Sequence, residues 1–131
     1  MKKLNKKGFT LIEMLVVIAI IAILVAVIVP VVTTATTKAK AATNAANLRS
    51  VQAEIQIALL TEDATWANSM IAKGTDAGSA TVTIGSTVIN VPGYKTVSGI
   101  TAGDFTVTVT DVVTCSYGSA KIEDYAKIAE G

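Results

Sequence analysis

Histidine is absent from this 131-residue chain, and cysteine, proline and aromatic residues are scarce. Without histidine, the chain has no His-containing catalytic triad and no His-ligated metal site. Cys115 is the only cysteine, so no disulfide forms within the chain. We expect its thiol to be a small buried hydrophobic group, with a bridge between two chains as the alternative. Any folded domain is therefore held together by packing alone.

Sequence signatures of enzymes and ligand-binding domains are missing as well. No glycine-rich phosphate loop opens a helix, and no acidic loop has the spacing of a helix–loop–helix calcium site. Glu62 and Asp63 are adjacent, as are Glu123 and Asp124, and adjacent residues on a helix do not face each other. Neither pair is a convincing acid–base pair. We therefore expect no enzymatic activity, no cofactor and no metal.

The formal net charge of +1 conceals an uneven distribution of charge along the chain. Lys2, Lys3, Lys6 and Lys7 supply four of the eleven basic residues, and the remaining seven face ten acidic ones, a net charge of −3. No basic stripe is left to neutralise phosphates, so no direct nucleic-acid partner is expected. Lysines placed just before an apolar segment instead hold that end of it in the cytoplasm.

A long apolar run follows these lysines. Residues 14–32 carry no charged or hydrogen-bonding side chain. As a helix with about 1.5 Å rise per residue, they span close to the ~30 Å hydrocarbon core of a bilayer. A transmembrane helix surrounded by membrane lipid is the default interpretation. The run is too long for an ordinary secretory signal, whose apolar core has about 7–15 residues.

Glu13 is the feature of this segment that a plain membrane anchor does not explain. The fourteen Ile, Leu and Val residues between Leu15 and Val32 contribute about −4 to −8 kcal/mol of insertion free energy. A carboxylate near the end of a span costs less than the ~2.5–3.5 kcal/mol of a charge at its centre, so insertion stays favourable. The carboxylate therefore needs a functional reason.

The stretch KKGFTLIEML, residues 6–15, resembles the processing signal of type IV pilins and the related pseudopilins. The resemblance implies that a membrane prepilin peptidase removes residues 1–8, cutting between Gly8 and Phe9, and methylates Phe9 as the new N-terminal residue. It also implies that Glu13 is the family's acidic residue that guides subunit assembly. The resemblance covers residues 1–32 well and the rest of the chain only in outline.

Cleavage between Gly8 and Phe9 would give Glu13 a partner, because it creates an α-amino group at the start of the apolar helix. Such an amine has a pKa of about 7.7–8.0 and is largely cationic at neutral pH. A charge without a partner costs free energy in lipid, and a pair between the amine and the Glu13 carboxylate lowers this cost for both groups. Phe9 and Glu13 are four residues apart, so the pair can form within one helix, whereas the resemblance implies a pair between neighbouring subunits. The simpler alternative is an interfacial carboxylate that reaches water.

Helical periodicity predicts one helix from about residue 9 to about residue 60. Pro30 removes one helix hydrogen bond and clashes with the carbonyl of Ala26. The resemblance implies a kink or local melting there in the filament, and the alternative is a tolerated kink in a membrane helix. Apolar residues recur beyond Pro30 at spacings of three and four and predict one buried face. That face consists of Ala41, Ala45, Leu48, Val51, Ile55 and Leu59.

The last part of the chain has the period of β-strands. The segments TVTI and TVINV flank Gly85-Ser86 and predict a hairpin. In FTVTVT, which starts at Phe105, apolar residues alternate with threonines, as in a strand with one buried side. Asp104 and Asp111 flank this strand and are interpreted as solvated carboxylates, with a calcium site like that of some secretion pseudopilins as the minor alternative.

Two further segments complete the predicted head. Residues 91–104 are expected to form a loop with a turn at Pro92-Gly93. Residues 120–129 place Ile122, Tyr125 and Ile128 at helical spacing and predict a short closing helix.

These features predict an α+β fold with a long N-terminal helix and a small antiparallel β-sheet head packed on its second half. The expected parts are a cleaved basic leader (1–8), a transmembrane and filament-core helix (9–32), and the amphipathic half-helix with its head (33–131). The precursor is expected in the cytoplasmic membrane with its N-terminus inside, and the assembled subunit on the cell surface.

Three functions fit this organisation. The first is the major subunit of an extracellular type IV pilus, a helical homopolymer built by a membrane assembly platform and used in adhesion, motility or aggregation. The second is a pseudopilin of a type II secretion or DNA-uptake filament, and the third is a plain membrane-anchored surface protein. The absence of a C-terminal cysteine pair favours a host with a single membrane over one with two.

Overall fold

The computed structural model describes residues 8–61, 69–72, 80–109 and 112–131. Helix α1 spans Leu11–Thr61 and is followed by strands β1 (Ser69–Ala72), β2 (Ala80–Ile84) and β3 (Thr87–Val91). Strands β4 (Phe105–Val109), β5 (Val113–Tyr117) and β6 (Ala120–Lys121) lead into helix α2 (Ile122–Glu130). A long apolar N-terminal helix with small antiparallel sheets packed against it confirms the predicted α+β class.

The chain divides into two compact units, Met1–Ala35 and Thr36–Gly131. In the first unit, every side chain from residue 8 to residue 35 is exposed, although most are large and apolar. A helix that is hydrophobic all round is stable only when something outside the chain covers it. By length and composition, α1 is able to cross a membrane.

Threonines and Pro30 are accommodated in α1 by local hydrogen bonds. The hydroxyls of Thr33 and Thr34 both donate to the carbonyl oxygen of Pro30, at 2.9 and 3.0 Å, and Thr43 donates to the carbonyl of Ala39 at 2.9 Å. The helix is continuous through Pro30. Hydroxyls bonded to their own helix need no partner from water.

The core of the second unit lies between one face of α1 and the sheets. Five of the six residues predicted for this face are buried, while Leu59 is half-buried and its neighbour Ala58 takes the buried position. Arg49 and Glu54 are exposed, as expected. The small side chains of Ala41 and Ala45 leave room for close approach, and Leu48, Val51 and Ile55 fill the space further along the helix.

The described strands form two antiparallel sheets, where the sequence predicted one. Strands β2 and β3 make the predicted hairpin, in which Ala80 pairs with Val91 and Ile84 with Thr87. Gly85, in the turn between them, has a φ of 58°, a conformation that glycine adopts without steric cost. The other sheet has the order β1-β4-β5-β6.

Strand β4 is the predicted threonine-rich strand, with Phe105 and Val107 buried. Its partner β5 was not predicted, although Val113, Cys115 and Tyr117 alternate toward the core. Thr114 and Ser116, the residues between them, give β5 the same alternation as β4, so the strand had a local signal that the sequence analysis did not use.

The loop predicted for residues 91–104 is present from residue 92 and is fastened to the core by two side chains. The amide of buried Asn44 donates to the Lys95 carbonyl and accepts from the Lys95 N–H, both at 2.7 Å. The hydroxyl of Tyr117 donates to the carbonyl of Pro92 at 2.6 Å. Asn44 lies on the buried face of α1, where its two backbone bonds satisfy a buried polar group. The sequence analysis did not identify this role.

The loop also crosses the β5–β6 turn at close range. The N–H of Gly118 donates to the carbonyl of Asp104 at 2.7 Å. Gly118 has a φ of 61°, and a Cβ there would lie 2.9 Å from the backbone nitrogen of Gly103. Only glycine fits this crossing without a shift of the backbone.

Aromatic rings and one thiol fill the space between the sheet and α2. Tyr117 contacts the rings of Tyr94, Phe105 and Tyr125, with centroids 5.5, 5.9 and 6.4 Å apart. The predicted closing helix is confirmed as α2, with Tyr125 buried and its two isoleucines half-buried. Cys115 is buried as expected, and burial raises the pKa of its thiol to about 12. A thiol that is 3% exposed is not available for a bridge to a second chain in this fold.

Burial also raises the pKa of Tyr117 and of Tyr125 to about 12. Within the described residues, the hydroxyl of Tyr125 makes no hydrogen bond. The Asn44 amide opposes part of the rise in the pKa of Tyr125, but it makes no hydrogen bond to the Tyr125 hydroxyl in the described residues.

We predict that Ile55→Ala lowers the free energy of unfolding of the second unit by about 2–5 kcal/mol, because it leaves a cavity in a fully buried position. Ile57→Ala is the matched control: Ile57 lies on the same helix and is 61% exposed. Thermal unfolding of the full-length protein in detergent measures both. Equal midpoints for the two variants would contradict the assignment of the buried face.

We predict that the second unit loses stability as the pH rises from about 10 to about 12. The unfolded chain deprotonates its tyrosines near pH 10, whereas folded Tyr117 and Tyr125 stay protonated up to about pH 12, so high pH favours the unfolded state. Thermal midpoints measured across this range should fall less steeply for Tyr125→Phe. An unchanged slope in that variant would show that Tyr125 is not buried.

Candidate processing and assembly site

The first described residues lie outside helix α1. Gly8, Phe9 and Thr10 are non-helical and exposed, and the helix begins at Leu11. The bond predicted for cleavage, between Gly8 and Phe9, is therefore in accessible backbone. A Cβ built on Gly8 would meet nothing within 4 Å. None of the described residues packs closely enough to require glycine there.

Thr10 and Glu13 form a reciprocal capping box at the start of α1. The backbone N–H of Thr10 donates to Oε2 of Glu13 at 2.7 Å, and the N–H of Glu13 donates to Oγ1 of Thr10 at 3.4 Å. Together the two bonds satisfy donors that the first turn of a helix leaves without intrahelical partners. The sequence signal for this arrangement, T-x-x-E before an apolar run, was present in the chain. The sequence analysis assigned no role to Thr10.

Phe9 and Glu13 lie along one side of the helix start. Both line a shallow cavity of about 430 Å³ whose other walls are apolar, formed by Ile12, Met14, Val16 and Val17. The ring of Phe9 is 82% exposed. Because Gly8 precedes it, the Phe9 nitrogen is a peptide nitrogen without charge. In this precursor, the carboxylate of Glu13 bonds to Thr10, and a pair with an α-amine requires cleavage first.

Of the other acidic candidates, Asp104, Glu123 and Asp124 lie in the part of the chain that the structure describes. Asp124 caps α2 by accepting the N–H of Lys121 at 2.9 Å. Asp111, Glu62 and Asp63 lie outside the described residues, so the calcium alternative at Asp104 and Asp111 stays a prediction. Within the described ranges, no group of three or more Cys, Asp or Glu residues is placed to hold a metal ion.

A second shallow cavity, of about 360 Å³, lies beside Arg49, Cys115 and Glu123. Its thiol is kept protonated by a pKa of about 12, and a protonated thiol is a poor nucleophile.

Comparison with known proteins identifies the N-terminal segment. The prokaryotic N-terminal methylation motif matches residues 3–29, which include the Gly8–Phe9 bond, the capping box and most of the apolar run. No curated protein and no solved structure gives a significant match to the chain. The chain thus carries the prepilin-type signal of type IV pilins and pseudopilins, and the motif supports a pilin-like or pseudopilin-like filament subunit.

Proposed function

We propose that this protein is the major subunit of an extracellular type IV pilus, assembled from the membrane through its N-terminal helix. The observation that carries the proposal is the exposed apolar surface of residues 9–32, most of which lies within the methylation motif. That surface is covered first by lipid and then, in the filament, by the same segment of other copies. Adhesion, motility or aggregation is the corresponding role on the cell surface.

Processing converts the precursor into a subunit that can assemble. Prepilin peptidase removes residues 1–8 at the exposed Gly8–Phe9 bond and methylates Phe9. The lysines of the leader, which hold this end in the cytoplasm, leave with it. The mature chain then consists of a membrane and filament-core helix (9–32) and a half-helix with its β-sheet head (33–131).

Glu13 provides the negative charge that pairs with the Phe9 amine during assembly. The Phe9 amine and the Glu13 carboxylate both enter an apolar environment when the subunit leaves the lipid. Removing one member of a buried charge pair costs about 3–5 kcal/mol, because the other charge is left without a partner. A pair between the amine of one subunit and the carboxylate of its neighbour avoids this cost and fixes their axial register.

Pro30 has a role in the filament under this proposal. It lacks the N–H that would bond to the carbonyl of Ala26. The two threonine hydroxyls on the Pro30 carbonyl leave that lost bond unreplaced. A kink or local melting between residues 26 and 30 would let α1 adjust to its neighbours during assembly.

A pseudopilin of a type II secretion or DNA-uptake filament is the alternative function, because it uses the same signal and the same apolar helix. Electron microscopy of cells expressing the protein separates the two, since a major pilin gives long surface filaments and a pseudopilin usually does not. Gold-labelled antibody against the head should mark filaments along their whole length if this protein is the major subunit.

We predict that the subunit in purified filaments begins at Phe9 and carries one N-methyl group. The basis is an exposed, non-helical Gly8–Phe9 bond inside the methylation motif. Intact-mass analysis and N-terminal fragment sequencing measure both changes. A subunit that starts at Met1, or one that starts beyond residue 30, would contradict the proposal.

We predict that Glu13→Gln abolishes filaments while membrane insertion and leader cleavage continue. An amide enters lipid more easily than a carboxylate, and the cleaved bond lies before the helix, whereas the cationic Phe9 amine loses its partner in the filament core. The measurement compares processed subunit in the membrane fraction with sheared filaments outside the cell. Normal filaments from this variant would refute the charge pair and leave Glu13 as an interfacial carboxylate.

A further inference from the structure

The capping box ties the carboxylate of Glu13 to its own chain. Oε2 accepts the N–H of Thr10 at 2.7 Å, and no hydrogen bond within the described residues uses Oε1. A free glutamate side chain samples several rotamers, and fixing them costs free energy when a partner binds. In this chain, the Glu13 side chain is already held by a hydrogen bond that uses only one of the two carboxylate oxygens.

The capping box also determines where the carboxylate lies. Thr10 directly follows Phe9, and consecutive Cα atoms are about 3.8 Å apart. The fixed carboxylate is therefore held at the end of the chain that cleavage exposes. It lines the same shallow cavity as Phe9.

We propose that Thr10 is a positioning residue for assembly: its backbone and hydroxyl hold the Glu13 carboxylate in a capping box, so that the remaining oxygen is presented to the α-amine of a neighbouring subunit. The inference rests on the proposed function for its assembly step. It goes further in dividing Glu13 into two separable contributions, a helix cap that needs an acceptor oxygen and a pairing partner that needs a negative charge.

Substitutions at Thr10 and Glu13 separate these contributions. Thr10→Val keeps the shape of the side chain and the charge of Glu13 but removes the hydroxyl that accepts the Glu13 N–H. Thr10→Ser is the matched control, because serine restores the hydroxyl and caps helices well. Glu13→Gln does the reverse, since glutamine at this position still accepts the Thr10 N–H but carries no charge.

The first measurement is amide hydrogen exchange of the uncleaved full-length chain in detergent micelles. We expect the Glu13 N–H to exchange about 2- to 30-fold faster in Thr10→Val, the range implied by loss of an N-cap. Thr10→Ser should match the unaltered chain, and Glu13→Gln should keep its Thr10 N–H protected. This measurement does not depend on filament formation.

The second measurement is the ratio of sheared filaments to processed subunit in the membrane. We expect Thr10→Val to lower this ratio several-fold with unchanged leader cleavage, and Thr10→Ser to restore it. Exchange in Thr10→Val equal to that of the unaltered chain would overturn the capping role. Faster exchange with normal filaments would overturn the positioning role, and so would a serine variant as defective as the valine variant.

Two remaining outcomes are also decisive. A failure of leader cleavage in Thr10→Val would place the role of Thr10 in processing and overturn the assembly inference. If the unaltered chain makes no filaments at all, the proposed function fails and takes the positioning role with it. The exchange measurement then still decides whether the capping box forms.

Discussion

The exposed apolar surface of the first half of α1 is the constraint on which the rest of this molecule depends. From Phe9 to Val32 the helix presents large hydrophobic side chains in every direction, and nothing within its own unit covers them. A soluble state of this segment is unfavourable at about 25 cal/mol per Å² of apolar surface left in water. Lipid or the apolar faces of other helices would cover this surface, and both environments make every polar group along it costly unless that group is satisfied.

The chain satisfies several polar groups in and beside this segment with its own atoms. At the start of α1, Thr10 and Glu13 bond to each other's backbone. Near its end, Thr33 and Thr34 donate to the Pro30 carbonyl. The second unit also satisfies a buried polar side chain with its own backbone: Asn44 donates to the carbonyl of Lys95 and accepts from its N–H.

The sequence predicted most of what local periodicity controls. The apolar run, the buried face of α1, the β2–β3 hairpin and the closing helix follow from spacings that hold within a few residues of each other. Strand β5 was missed although its alternation of apolar and polar residues matches that of β4. The division into two sheets was not predicted, because strand pairing joins residues that are far apart in the sequence. The fastening of the loop by Asn44 and Tyr117 joins residues that are 51 and 25 positions from their partners, and no local pattern reports such contacts.

The candidate processing and assembly site also contains residues that the sequence analysis proposed and one that it missed. Gly8, Phe9 and Glu13 were proposed from the resemblance of residues 6–15 to the prepilin signal, in which charge, size and distance along the chain must coincide. Thr10 was overlooked although T-x-x-E is a local signal, because the charge of Glu13 drew the interpretation toward an external partner. The structure shows that Glu13 has a partner within its own chain, Thr10.

The state of Cys115 makes this protein well suited to site-specific labelling. The chain has one thiol, and that thiol is buried and protonated far above neutral pH, so maleimide reagents will leave it untouched in the folded protein. A cysteine introduced at an exposed position, such as Ser98 in the loop after β3, would then be the single reactive group. A fluorescent label attached to that introduced sulfur would report on the folded protein without first removing a native residue from the core.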